Sequence, residues 1–178
     1  IGNAYPSFEE GRKYLAPGLF GPCGYGLPAV VGAKIGCPDV PAVGFSGDGA
    51  FGIAVTELTA IGREEWPAVT QIVFRNYQWG AEKRNSTLWF DDNFVGTELD
   101  TQVSYAGIAN ACGLKGVVAR TMDELTAALN QAVEDQKKGI TTLIEAMINQ
   151  ELGEPFRRDA MKKPVKVAGI SKDDLKPQ

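Results

Sequence analysis

Ala42-Val43-Gly44-Phe45-Ser46-Gly47-Asp48-Gly49-Ala50-Phe51 is the stretch that decides the fold. Ala42 to Phe45 is a short apolar run, the composition of a buried strand. Gly47-Asp48-Gly49 follows at once. A carboxylate therefore emerges at the carboxyl end of a strand, beside backbone with no Cβ to obstruct a ligand. A second apolar run, Val69 to Arg75 (VTQIVFR), ends in Asn76, 28 residues after Asp48. Two strand ends, one carboxylate, one amide and a glycine turn suit a hard divalent ion that holds a diphosphate. Mg²⁺ takes such oxygens and completes its octahedron with backbone oxygen, water and phosphate. The plainer alternative is a strand-to-helix turn in which Asp48 only caps the helix.

Working outward, strands and helices alternate. Leu27 to Lys34 (LPAVVGAK) reads as a buried helix with Pro28 in its first turn, closed by Gly36-Cys37-Pro38-Asp39. Ile53 to Arg63 has apolar residues at helical spacing. Val103 to Cys112 is a helix with Gly113 placed to cap it. Gly116 to Ala119 is a strand. Thr121-Met122-Asp123-Glu124 forms a capping box before a helix from Leu125 to Lys137, and Thr141 to Ile148 is the last strand. Residues 1–22 are rich in Gly, Pro and aromatic residues and read as loop. Residues 76–100 have no clean period and read as a long functional loop. The expected class is α/β: a doubly wound parallel sheet with helices on both faces, carrying its site at the strand carboxyl ends. Residues 1–150 form the domain and 151–178 a C-terminal tail, basic at Arg157-Arg158 and Lys162-Lys163.

Composition excludes several classes. The 178 residues are 44% hydrophobic, enough for a core, and carry a net charge of −4. Without a basic block ahead of the tail, nucleic acid and anionic membranes are poor partners. The longest apolar stretches are strand length, so no membrane span is expected. Three unpaired cysteines, Cys23, Cys37 and Cys112, suggest a reducing, cytoplasmic setting. With no histidine, a Ser-His-Asp triad or His-ligated zinc within this chain is excluded. Gly-Asp-Gly-Ala-Phe-Gly is not Gly-x-Gly-x-x-Gly, which argues against a dinucleotide-binding dehydrogenase.

Gly47-Asp48-Gly49, the helix after it and Asn76 together resemble the signature of thiamine diphosphate (ThDP) enzymes, and nearly the whole chain resembles their diphosphate-binding domain. That resemblance implies ThDP and Mg²⁺ as cofactors. It implies Asp48, Asn76 and the main-chain oxygen of Gln78 as metal ligands. Gly47, Gly49, Ala50, Trp79, Gly80 and Ala81 would lie around the cofactor. Gly21-Pro22-Cys23-Gly24-Tyr25-Gly26 is similar to the family segment that holds the aminopyrimidine. It gives Gly21 a carbonyl contact and Cys23 the role of the prop that bends the cofactor. Family members usually place a larger residue there, and Cys23 is equally well read as a small buried hydrophobe. The glutamate that activates the cofactor belongs to a pyrimidine-binding domain absent from this sequence. Glu57 matches the helix after Gly-Asp-Gly and is not that residue. A catalytic acid is therefore expected outside the chain, and the fragment alone is expected to be inactive. Ile1-Gly2-Asn3 lacks the Met and apolar region of a leader and resembles the end of a family strand, so a further strand is expected upstream.

The loop and tail narrow the branch. Gln78 to Asn85 (QWGAEKRN), Asn93 to Leu99 (NFVGTEL) and Glu151 to Ala160 (ELGEPFRRDA) resemble the sulfoacetaldehyde acetyltransferases. Most ThDP enzymes carry Asn-Asn where this chain has Arg75-Asn76. The implied reaction converts sulfoacetaldehyde and phosphate to acetyl phosphate and sulfite. Both substrates are anions, which makes Lys83, Arg84, Arg157 and Arg158 the candidate binders. A solvated surface or a subunit contact would also explain them. Trp79 and Trp89 could exclude water or simply pack. An acetolactate synthase-like decarboxylase or carboligase and a non-catalytic ThDP-binding module remain as alternatives. Sites shared between subunits imply a homo-oligomer, a dimer or a tetramer.

Overall fold

A computed structural model describes residues 6–11 and 13–151. In chain order the elements are α1 (Gly26–Gly36), β1 (Val43–Gly47), α2 (Asp48–Ile53), a 3₁₀ turn (Val55–Glu57), α3 (Leu58–Ile61), β2 (Thr70–Arg75), α4 (Gly80–Trp89), α5 (Tyr105–Ala111), β3 (Lys115–Ala119), α6 (Met122–Lys137) and β4 (Thr142–Met147). The four strands form one parallel sheet in the order β1-β2-β4-β3. Parallel neighbours need crossover connections, and here helices supply them on both faces.

Alternation along the strands sends side chains to two cores. On one face Val69, Val73 and Leu143 pack with Leu27, Val30 and Val31 of α1, Phe51 of α2, Leu58 and Ile61 of α3, and Tyr105, Ala106 and Ala109 of α5. On the other face Ile144 and Ala119 pack with Ala132 of α6, flanked by Leu125, Ala128 and Leu129. Phe51, Leu58 and Leu143 are fully buried, and each contributes about 1.5–3 kcal/mol by leaving water. Polar clamps align the sheet. Gln136 of α6 accepts from the Ala42 amide at 3.0 Å and donates to the Ala42 carbonyl at 3.0 Å and to Thr70 Oγ1 at 2.7 Å. A Cβ at Gly44 in β1 would lie 2.4 Å from Gln71 Oε1 and 3.0 Å from Val30 Cγ1, so a larger residue there would have to displace the Gln71 side-chain amide.

Three sequence expectations need correction. Residues 76–100 are not all loop, because α4 occupies ten of them. Its helix was hidden because it is polar and no residue on it is buried, so it has no apolar stripe. The helix expected over 53–63 is broken into the end of α2, the 3₁₀ turn and α3, because the helix begins earlier, directly at Asp48. Cys23 is exposed rather than a buried hydrophobe. The capping box holds in part. Thr121 Oγ1 accepts from the Glu124 amide at 3.2 Å, while Glu124 Oε2 reaches back to the Arg120 amide at 2.6 Å, one residue before the cap. The tail beyond Glu151, with Arg157, Arg158, Lys162 and Lys163, lies outside the described residues.

Candidate cofactor and metal site

The register of the sheet builds the site. Gly47 pairs with Phe74, so Asp48 and Arg75-Asn76 leave the carboxyl edge side by side. Asp48 does not cap α2. Gly47 holds the cap position without a side-chain bond and Asp48 is the first helical residue. Its carboxylate turns sideways. Oδ2 accepts from the amides of Asn76 at 3.2 Å and Tyr77 at 2.7 Å, and from Arg75 Nη1 at 3.1 Å. Oδ1 accepts from the adjacent Gly49 amide at 3.0 Å. The second oxygen is thus saturated by three donors, and Oδ1 is the less committed one.

Tyr77 makes this possible with a φ of +61°. A left-handed aromatic residue is strained by about 1–3 kcal/mol and persists only where the surroundings impose it. The turn aims two consecutive amides at one carboxylate oxygen. Asn76 Oδ1 accepts from the Gln78 amide at 3.3 Å. Hydrogen bonds from Trp79 N to Thr97 O and from Leu99 N to Tyr77 O tie the segment to the loop opposite. Gln78 donates through Nε2 to the Gln150 carbonyl at 2.9 Å, and Gln150 Nε2 returns to the Asn76 carbonyl at 3.1 Å. The chain leaving β4 is therefore fastened across the Asn76–Gln78 turn.

Beside the carboxylate, the Trp79 indole lies on Gly49, where a Cβ would meet its ring atoms at 2.8 Å. Trp79 precedes Gly80 and Ala81, which open α4. Gly24 packs on Ile53 of α2, where a Cβ would meet Cγ2 at 3.0 Å. This brings the segment bearing Gly21 and Cys23 alongside the helix that follows the glycine turn. Gly21 has a φ of +59°, which glycine adopts without strain. Lys83 pairs with Glu98 and lies 5.4 Å from the Phe94 ring centre. Arg84 follows it on α4.

Three partners were missed in the sequence: Arg75, Glu145 and Tyr105. Arg75 and Glu145 are both buried, with Nε 3.5 Å from Oε1. Tyr105 donates its hydroxyl to the Asp48 carbonyl at 3.0 Å. Burial pushes the Tyr105 hydroxyl above its ordinary range; the carboxylates of Asp48 and Glu145 add to this and Arg75 opposes it. The available signal was a lone carboxylate inside the apolar run of β4 and a cation ending that of β2. Buried charges of this kind require partners.

The site fits a hard divalent cation with a diphosphate. The groups at hand, a fixed carboxylate, an amide oxygen and main-chain oxygen, are of the kind Mg²⁺ prefers over nitrogen or sulfur. Among the described residues no cluster of three His, Cys, Asp or Glu competes for a metal. Residues 1–146 match the family described as thiamine pyrophosphate enzyme, C-terminal TPP binding domain. The chain belongs to that family. Thiamine pyrophosphate is ThDP, so the glycine turn, Asp48 and Asn76 sit in a ThDP-binding domain.

This ThDP-binding domain is 88% identical over all 178 residues to a sulfoacetaldehyde acetyltransferase of Roseovarius nubinhibens, and 80% identical over the same length to one of Rhodobacter capsulatus. A sulfoacetaldehyde acetyltransferase of Alcaligenes xylosoxydans xylosoxydans is 44% identical over 174 residues, 97% of this chain and 28% of that protein. The chain spans 30% of the length of the first two relatives. Among solved structures, a ThDP-dependent 4-hydroxybenzoylformate decarboxylase of Rhodococcus jostii RHA1 superposes with a TM-score of 0.64 at 26% identity. That match covers 73% of this chain and 24% of the decarboxylase. No helix among the described residues is long and apolar enough to cross a membrane.

Proposed function

We propose that this chain is the diphosphate-binding part of an enzyme that converts sulfoacetaldehyde and phosphate to acetyl phosphate and sulfite, using ThDP and Mg²⁺. The observation that carries this is the 88% identity over the full chain to an enzyme of that name. The matched length takes in the loop after Asn76 and the tail, where substrate-handling residues are expected. A relative of the rival reading, an acetolactate synthase large subunit of Corynebacterium glutamicum, stands much further off at 27% over 175 residues.

Bound ThDP supplies the carbanion chemistry, and the protein supplies orientation and dielectric. Asp48, Asn76 and the Gln78 main-chain oxygen hold Mg²⁺. Gly47, Gly49 and Ala50 approach the diphosphate closely because they carry little or no side chain, and Trp79, Gly80 and Ala81 border it. Gly21 and Cys23 meet the aminopyrimidine. Lys83, Arg84, Arg157 and Arg158 bind the sulfonate and the phosphate. Lys83 already shares its charge with Glu98, so an anion there competes with a resident carboxylate. The activating glutamate comes from a pyrimidine-binding domain of the longer polypeptide. The enzyme works as a cytoplasmic homo-oligomer.

Two measurements test the reading. Asp48→Ala in the complete enzyme abolishes Mg²⁺-dependent ThDP binding in calorimetry; unchanged affinity refutes the metal assignment. The wild-type enzyme releases sulfite from sulfoacetaldehyde only when phosphate is present. Carbon dioxide release from a 2-oxo acid without that sulfite would assign it to the decarboxylases instead.

A further inference from the structure

A guanidinium at the end of a buried strand is costly and must be held by what surrounds it. Arg75 is 1% exposed, and its fork reaches in two directions. Nη1 donates to Asp48 Oδ2 at 3.1 Å. Nη2 donates to the main-chain carbonyls of Asp100 at 2.6 Å and Val103 at 3.0 Å. The Tyr77 and Tyr105 rings lie 4.2 Å and 5.0 Å from Cζ. Nε stands 3.5 Å from Glu145 Oε1, an ion pair rather than a well-formed hydrogen bond. The other Glu145 oxygen accepts from Ser104 Oγ at 2.9 Å and from the Ala106 amide at 3.0 Å.

A counter-charge for two carboxylates would not need Nη2. That nitrogen is spent on the end of the long segment leading from the Asn76 turn to α5. Glu145 meanwhile holds the first turn of α5, and Tyr105 of that turn bonds the Asp48 carbonyl. The carboxylate of the glycine turn and the backbone at 100–106 therefore share one rigid, planar connector. Lysine could not replace it, because a single ammonium cannot present parallel donors to a carboxylate and to two carbonyls.

We infer that Arg75 is a positioning residue that couples cation binding at Asp48 to the order of segment 100–106. This rests on the reading of Asp48 as a Mg²⁺ ligand. A cation drawing on Oδ1 loads the carboxylate that Nη1 holds, and the stiffened guanidinium fixes the Asp100 and Val103 carbonyls through Nη2. The coupling works through geometry and needs no change of protonation.

The test is hydrogen exchange of amides 100–106 in the complete enzyme, with and without Mg²⁺ and ThDP, with cofactor affinity measured on the same samples. The wild type slows by about tenfold on binding, within the usual span for coupled sites. Arg75→Lys keeps the charge and loses the fork. It still binds cofactor, more weakly, and the slowing falls below about twofold. Should Arg75→Lys fail to fold, Arg75→Asn/Glu145→Gln removes the cation together with one buried carboxylate and is expected to show the same loss. Slowing that persists in a folded variant which binds cofactor overturns the coupling, as does a wild type that binds cofactor without slowing. A wild type that binds no ThDP in the presence of Mg²⁺ overturns the site reading beneath it.

Discussion

Gly49→Ala adds a single methyl group at the most crowded point of the site. An ideal Cβ there lies 2.8 Å from Cδ2 and Cε3 and 2.9 Å from Cε2 of Trp79. Carbon atoms prefer about 3.5–4.0 Å, so the indole must move by roughly 1 Å. Its backbone cannot follow easily. The Trp79 amide donates to Thr97 O at 2.7 Å, and its carbonyl accepts from Lys83 N at 2.9 Å as α4 begins. The ring therefore leaves its preferred rotamer, and the displacement is passed to Gly80 and Ala81. Overpacking of this kind costs about 1–3 kcal/mol. For a domain of this size alone that is a fall in Tm of roughly 2–12 °C, and a smaller fall in a longer polypeptide, whose unfolding entropy is larger. Thermal melts of the complete enzyme, with and without Mg²⁺ and ThDP, measure the cost, and calorimetry measures the weakened cofactor binding. Trp79→Leu opens the space, so the double variant Gly49→Ala/Trp79→Leu recovers at least about 1 kcal/mol relative to the sum of the single changes. Single effects that add to within about 0.5 kcal/mol would refute the contact as the reason for glycine at 49.

Further expectations follow from other parts of the molecule. At Gly116 a Cβ would stand 2.0 Å from the Ala106 carbonyl oxygen and 2.7 Å from its carbon; both atoms are backbone, so Gly116→Ala costs at least the upper end of the roughly 1–3 kcal/mol range. Gly32 in α1 faces open space, and Gly32→Ala raises stability by about 0.5–1 kcal/mol; urea melts with the opposite result at either position contradict the packing described. Asp135 is held below the usual carboxylate range by its bonds from Lys115 at 2.5 Å and Gln131 at 2.9 Å. A lowered folded pKa means that its contribution is complete above the unfolded value near about pH 4 and is lost as pH falls through the folded value. The stability gap between wild type and Asp135→Asn should thus be constant from about pH 7 to about pH 5 and close below about pH 4; a gap that persists in acid refutes the ion-pair account. Arg157→Ala and Arg158→Ala raise the apparent KM for phosphate or sulfoacetaldehyde; unaltered kinetics in both would remove the tail from the substrate site.

How far the site could be read from sequence differs from residue to residue. The strand-end positions of Asp48 and Asn76 were legible because each follows an apolar run, and a glycine turn announces itself locally. The helix at α4 was not, since periodicity detects a helix only when one face is buried. The left-handed Tyr77 was also hidden: an aromatic side chain gives no hint that its surroundings will impose a positive φ. Arg75 stood out only as a replacement for the family's usual Asn, and Glu145 did not stand out at all. Their meaning depends on partners brought together by the register of three different strands.

The sequence by itself determined the parallel α/β sheet, the carboxyl-edge position of Gly47-Asp48-Gly49, and the family to which the chain belongs. These depend on residue order over short windows, where apolar runs, glycines and spacing act through local geometry. Only the tertiary structure decided how Asp48 is held: one oxygen saturated by Asn76, Tyr77 and Arg75, the other left less committed, and the guanidinium shared with the backbone at 100–103. The physical reason is that charges buried together must be neutralised and hydrogen-bonded by whatever folding places beside them. That set is fixed by strand pairing across the molecule, not by neighbours along the chain.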